Sequence, residues 1–129
     1  MVKGVFCQGD ILWLDFQPQA GHEQTRRRPA LVVSSTAYNA TGALVMVCPI
    51  THTKSRLVLR PQLPEGMQTD GYVLCDHARF VDLQARNAAF AERAPAELTD
   101  AVLQILRVLL ARDPASGGKT EEMPDSKNR

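Results

Sequence analysis

Up to Leu83 the apolar residues come in short runs, each closed by Gly, Pro or a polar cluster. Ile11-Leu12-Trp13-Leu14-Asp15-Phe16 lies between the turn signals Gly9-Asp10 and Gln17-Pro18 and reads as a strand. Gln19 to Arg28 is polar, contains Gly21 and shows no apolar periodicity, which predicts a loop. Pro29 can open a strand but cannot donate to the middle of a ladder, so Ala30-Leu31-Val32-Val33-Ser34 reads as the next, largely buried strand. Tyr38 to Gly42 suits a turn or short helical turn, and Ala43 to Ile50 is a further β-branched run. It is stopped by Pro49 and the polar Thr51-His52-Thr53-Lys54-Ser55. Arg56-Leu57-Val58-Leu59-Arg60 sets an apolar centre between charged ends, and Pro61 to Gly71 reads as a loop. Gly71 to Cys75 and Ala78 to Leu83 complete the strand candidates. Short strands at close intervals predict a mainly β sandwich or small barrel.

The pattern changes at Pro95, a residue suited to a first helical position. Leu98, Val102, Ile105, Leu106, Leu109 and Leu110 then recur at helical spacing and form one apolar face. A helix of this kind can seal an open end or face of a barrel. From Asp113 the chain turns to Pro, Gly, Ser, Lys and Glu with almost no apolar residues. The expected organisation is one folded domain over residues 1–112 and a disordered tail over 113–129.

Composition narrows the class. No apolar run is long enough to span a bilayer, and the N-terminus lacks the apolar stretch and small-residue cleavage site of a signal peptide. Cys7, Cys48 and Cys75 are odd in number and far apart, without the spacing of a zinc or redox motif. Reduced cysteines and no disulfide framework predict a cytoplasmic protein. The net charge of +1 hides an asymmetry. Residues 1–60 carry seven Lys/Arg against three Asp/Glu, net +4, and residues 61–129 carry eight against eleven, net −3. Such a division can place a local basic face on a nearly neutral protein.

Candidate chemistry is sparse. His22, His52 and His77 fit no helical metal motif, and two of them as an acid/base pair for RNA cleavage is an idea that no spacing supports. Trp13, in an apolar strand, reads as a core or interface anchor rather than a stacking platform. No Gly-rich phosphate loop, nucleophile elbow or dinucleotide fingerprint is present. The densest cluster is Gly21-His22-Glu23-Gln24-Thr25-Arg26-Arg27-Arg28-Pro29. By composition it is either a solvated basic turn or a phosphate site, in which guanidinium groups clamp the anion and a carboxylate serves as general base.

Taken together, Gly9-Asp10 with the strand to Phe16, then Gly21-His22-Glu23-Gln24, then Arg28-Pro29-Ala30-Leu31-Val32-Val33 resemble the MazF/PemK family of toxin endoribonucleases. Pro49-Ile50-Thr51, Asp70-Gly71, Asp76-His77-Ala78-Arg79 and the closing helix near Pro95 extend the resemblance to about Ala111. It implies an SH3-like barrel with a C-terminal helix, related in fold to the gyrase poison CcdB. It implies a homodimer that cuts single-stranded RNA without metal or other cofactor, and inhibition by a cognate antitoxin with a disordered acidic segment. The substrate's own 2′-OH is the implied nucleophile, leaving a 2′,3′-cyclic phosphate and a 5′-hydroxyl.

By the same resemblance Arg28 is the catalytic arginine, binding phosphate and stabilising transition-state charge, with proton transfer as a further role. Thr51 matches the threonine that hydrogen-bonds the scissile phosphate, and Glu23 the acid that some members use as general base. Gln24, Arg26, Arg27, His77 and Arg79 fall at RNA-contacting positions. His77 stands where some members carry glutamine, and Arg26 and Arg27 make the approach to Arg28 unusually basic. Two other readings stay open: a CcdB-like protein-binding toxin directed at a topoisomerase, and a non-catalytic RNA-binding barrel.

Overall fold

The computed structural model describes residues 4–17, 26–42, 44–54 and 59–115. Among these residues, six strands form one antiparallel sheet, curled into a half-barrel: β1 (Asp10–Gln17), β2 (Arg26–Val32), β3 (Leu44–Thr51), β4 (Tyr72–Val73), β5 (Arg79–Asp82) and β6 (Ala89–Arg93). A short helix, α1 (Thr36–Asn39), joins β2 to β3, and α2 (Ala96–Leu109) closes the domain. The mainly β expectation with a C-terminal helix is met.

The spatial order is β4-β3-β2-β1-β6, with β5 also on β3. β5 pairs with the first half of β3, Leu44 to Val47, and β4 with its end, Ile50 and Thr51. The central strands are apolar on alternate faces. Ile11, Leu31, Val33, Cys48, Ile50 and Val73 join Leu98 and Val102 of α2 in one core. Leu12, Leu14, Phe16, Ala30, Val32, Val45, Val47 and Val81 form a second core on the opposite face. β2 is therefore buried on both sides, and a one-residue slip would exchange its two faces and empty both cores of their partners.

Several boundaries differ from the sequence reading. Arg26, Arg27 and Arg28 lie in β2 rather than a loop, and Pro29 lies inside the strand opposite Trp13. Cross-strand bonds override the polar composition: the Arg27 guanidinium reaches Asp15 of β1 at 2.8 Å. β3 pairs with β2 only from Ala30 onward, so at Pro29 the ladder runs on the β1 side alone, an edge-like position that proline tolerates. Gly71 to Cys75 shrinks to the two residues of β4, followed by a 3-10 turn over Cys75–His77. Leu59 and Arg60 belong to no strand, and residues 55–58 of that candidate lie outside the described residues.

β6 was not anticipated. Its segment, Ala89-Phe90-Ala91-Glu92-Arg93, has weak alternation and is held by backbone pairing to β1. The turn before it is set by Asn87 at φ 53°, a conformation that asparagine tolerates better than most residues.

In α2, Pro95 is the residue before the helix rather than its first turn. Leu98 and Val102 are buried and Ile105 and Leu106 partly so, but Leu109 and Leu110 are exposed. The apolar stripe outruns the sheet beneath it. No helix among the described residues is long and apolar enough to cross a membrane. The tail is described only to residue 115, so the expected disorder over 113–129 falls largely outside the described residues.

Cys48 and Cys75 sit in the core under α2. Burial pushes the Cys48 thiol up to about 12 and the Cys75 thiol up to about 11, with nearby Asp76 adding to both. Neither forms the reactive thiolate at neutral pH. A thiol reagent at pH 7 should therefore label the partly exposed Cys7 and spare Cys48 and Cys75 until the protein unfolds, as mass spectrometry of the labelled peptides would report.

Candidate active site

Where β2 and β3 diverge, their ends line an open cavity of about 500 Å³. Its walls include Trp13 of β1, Arg27 and Arg28 of β2, Ile50 and Thr51 of β3, and Gln68, Thr69 and Asp70 from the loop before β4. The pairing that brings them together is simple. Ala30 faces Pro49 in the last pair of the β2–β3 ladder, and beyond it the strands part, so that Arg28 and Thr51, each two residues further along, line the same cavity. On its other side Arg28 pairs with Leu14, whose side chain belongs to the second core. A buried ladder thus delivers one guanidinium and one hydroxyl to the same rim.

The third wall is built by a carboxylate and a glycine. Glu92 of β6 accepts bonds from the Thr69 hydroxyl at 2.6 Å, the Thr69 N–H at 2.7 Å and the Gln68 N–H at 3.0 Å. Burial works against the charge of Glu92, but these donors outweigh it and hold the carboxyl below its usual value of 4.5. The same bonds join β6, at one edge of the sheet, to the loop leading into β4 at the other. Gly71 follows at φ +123°, and a Cβ there would collide with the carbonyl oxygen of Thr51. Only glycine lets this loop pass so close to the end of β3.

Arg27 has a structural role beside its place in the cavity wall. Besides Asp15 it donates to the Asn87 carbonyl at 2.7 Å, while Asn87 donates to Asp15 at 2.7 Å. Bonds from Asn87 and Arg27 hold the Asp15 carboxyl below the usual carboxylate range. Arg27 thus lines the cavity while its guanidinium braces the end of β1.

His77 and Arg79 do not line this cavity. His77 is exposed in the 3-10 turn, its Nε2 3.4 Å from Arg60, which also grips Asp76. Arg79 of β5 stacks over the Phe16 ring, 4.7 Å from its centre. Burial, with Arg86 nearby, pushes its pKa below the ordinary arginine value. Glu23 and Gln24 lie outside the described residues, and Arg26 is described only as the first residue of β2.

Trp13, His52 and Asp70 are wall residues to which the sequence reading assigned no site role. Trp13 is 36% exposed and belongs to the cavity rather than the core. His52 and Asp70 meet across it, Nε2 to Oδ1 at 2.6 Å. A local signal existed in Asp70-Gly71, but nothing in the chain ties it to His52. Among the described residues no cluster of His, Cys, Asp and Glu has a metal-binding arrangement.

Comparison with known proteins gives the family. A family model described as PemK-like, MazF-like toxin of type II toxin-antitoxin system matches residues 7–110. The chain belongs to the MazF/PemK family of toxin endoribonucleases. Endoribonuclease PemK of Escherichia coli is 34% identical over 109 residues, covering 80% of each chain. Endoribonuclease toxin ChpB of Escherichia coli (strain K12) is 34% identical over 113 residues, 84% of this chain and 97% of its own. A MazE–MazF crystal structure from Deinococcus radiodurans superposes with a TM-score of 0.78 at 40% identity, covering 84% of this chain and 98% of that one. The MazF/PemK match spans all six strands and α2, so Arg28, Thr51 and the Glu92-held loop all lie within the shared fold.

Two substitutions test how this wall is built. Gly71→Ala should lower stability by about 1–3 kcal/mol in denaturant unfolding, because it must displace the Thr51 backbone or strain its own. Glu92→Gln should cost about 1–2 kcal/mol at pH 7. The folded-state pKa of Glu92 is depressed, so its contribution is present above 4.5 and fades as pH falls through the folded value. Thermal melts of wild type and Glu92→Gln should accordingly differ at pH 7 and converge at acid pH.

Proposed function

We propose that this protein is a toxin endoribonuclease that cuts single-stranded RNA at the cavity between β2 and β3, using the substrate's 2′-OH and no metal. The convergence of Arg28 and Thr51 on one rim, in a chain of this family, carries the reading. The 2′-oxygen attacks the adjacent phosphorus, the bond to the 5′-oxygen breaks, and a 2′,3′-cyclic phosphate and a 5′-hydroxyl result. Charge grows on the non-bridging oxygens as the fifth bond forms. Arg28 supplies a fixed positive charge there, and the Thr51 hydroxyl a hydrogen bond. Glu23 accepts the 2′-OH proton. Gln24, Arg26, Arg27, His77 and Arg79 contact the RNA, His77 and Arg79 from a surface outside the cavity. Exposed bases would find a stacking partner in Trp13.

The partner in inhibition is a cognate antitoxin, supported by relatives crystallised as MazE–MazF complexes. The toxin itself acts as a homodimer in the cytoplasm. Exposed apolar side chains such as Phe80, Phe90, Val108 and Leu110 are compatible with a covered surface.

Purified protein should cleave single-stranded RNA in the presence of EDTA. Arg28→Ala should reduce the rate by about 100- to 1000-fold, and Thr51→Ala by about 10- to 100-fold, with circular dichroism unchanged in both. Full activity in a folded Arg28→Ala protein would sink the mechanism. Inhibited DNA supercoiling without RNA cleavage would favour the CcdB-like alternative.

A further inference from the structure

RNA transesterification has a second proton to place. The departing 5′-oxygen is a strongly basic alkoxide unless a proton reaches it as the P–O bond breaks. Arg28 is a poor source, because a guanidinium keeps its proton at neutral pH. Threonine hydroxyls are no better as acids. Among the described residues that line the cavity, His52 is the imidazole, the side chain that most often serves as a general acid.

Its placement suits that task. His52 directly follows Thr51 at the end of β3, so it shares the rim with the phosphate-binding hydroxyl. Its Nε2 lies 2.6 Å from Asp70 Oδ1. A carboxylate only accepts, so Nε2 carries a hydrogen and the ring is oriented by the bond. In the imidazolium form Nδ1 carries the second hydrogen and is the nitrogen left for a substrate. Both side chains are largely exposed, at 78% and 81%, and an ion pair so wet adds little to stability. The charged groups around it are Asp70 from the loop before β4 and Arg27 and Arg28 from β2, with Lys54 two residues along the chain.

We propose that His52, oriented by Asp70, is the general acid of the cleavage. This rests on the reading of the cavity as a ribonuclease site. As the 2′-oxygen bonds to phosphorus and the P–O5′ electron pair moves onto the 5′-oxygen, the Nδ1 proton of the imidazolium passes to that oxygen. His52 is left neutral, and water reprotonates it before the next turnover. Arg28 keeps its proton and acts through charge alone, and Asp70 is a positioning residue.

The test compares ordinary RNA with RNA carrying a bridging 5′-phosphorothiolate at the cleavage site, where sulfur leaves without protonation. His52→Asn should slow cutting of ordinary RNA by about 100-fold or more and cut the phosphorothiolate at close to the wild-type rate. Asp70→Asn should give a smaller loss in the same substrate-dependent pattern, and Arg28→Ala should stay slow on both. Equal slowing of His52→Asn on both substrates, or no slowing on ordinary RNA, overturns the general acid. Wild-type protein that cuts neither substrate overturns the ribonuclease reading itself, and this one with it.

Discussion

The β2–β3 ladder is the contact on which the rest depends. Ala30 faces Pro49, Leu31 faces Cys48 and Val32 faces Val47, and these side chains alternate between two separate cores. Because both faces of β2 are buried, the register has no tolerated alternative. The polar ends of the two strands inherit that certainty. Arg28 and Thr51 are placed by the apolar residues before and beside them, which is how a small domain can hold a charged site steady without burying it.

A second constraint completes the cavity from the opposite direction. The two edges of the curled sheet, β6 and β4, meet through the Glu92 carboxylate and the Gln68-Thr69 backbone instead of through a ladder. Beside that contact Gly71 lets the chain press against the Thr51 carbonyl. The loop carrying Asp70 is therefore held at one end by charge-assisted bonds and at the other by steric necessity. Its position relative to Thr51 follows from backbone geometry, and His52–Asp70 is the visible consequence.

The electrostatics of the site divide between bracing and chemistry. Arg27 neutralises Asp15 and ties down the turn at Asn87, so one member of the arginine run stabilises the end of β1. Arg60 and Asp76 form a separate pair beside His77, away from the cavity. The charged and polar residues that line the cavity include Arg27 and Arg28, Thr51 and Thr69, and the His52–Asp70 pair.

The chain by itself determined the class of fold, most of the strands, the closing helix and the family. Alternating runs such as Ile11 to Phe16 and the spaced leucines after Pro95 are local patterns, and local patterns survive in a linear reading. It also nominated Arg28 and Thr51, but through resemblance, since nothing local links residues 28 and 51. Only the tertiary structure decided that Arg26 to Arg28 are strand, because Asp15 and the β1 ladder outweigh a polar composition. Only it revealed β6, whose weak pattern is stabilised by a partner far away in sequence. It moved Trp13 from the core to the cavity wall and separated His77 and Arg79 from that cavity. It also brought together His52 and Asp70, eighteen residues apart. Proximity across a curled sheet is set by register and curvature, and a sequence states neither directly.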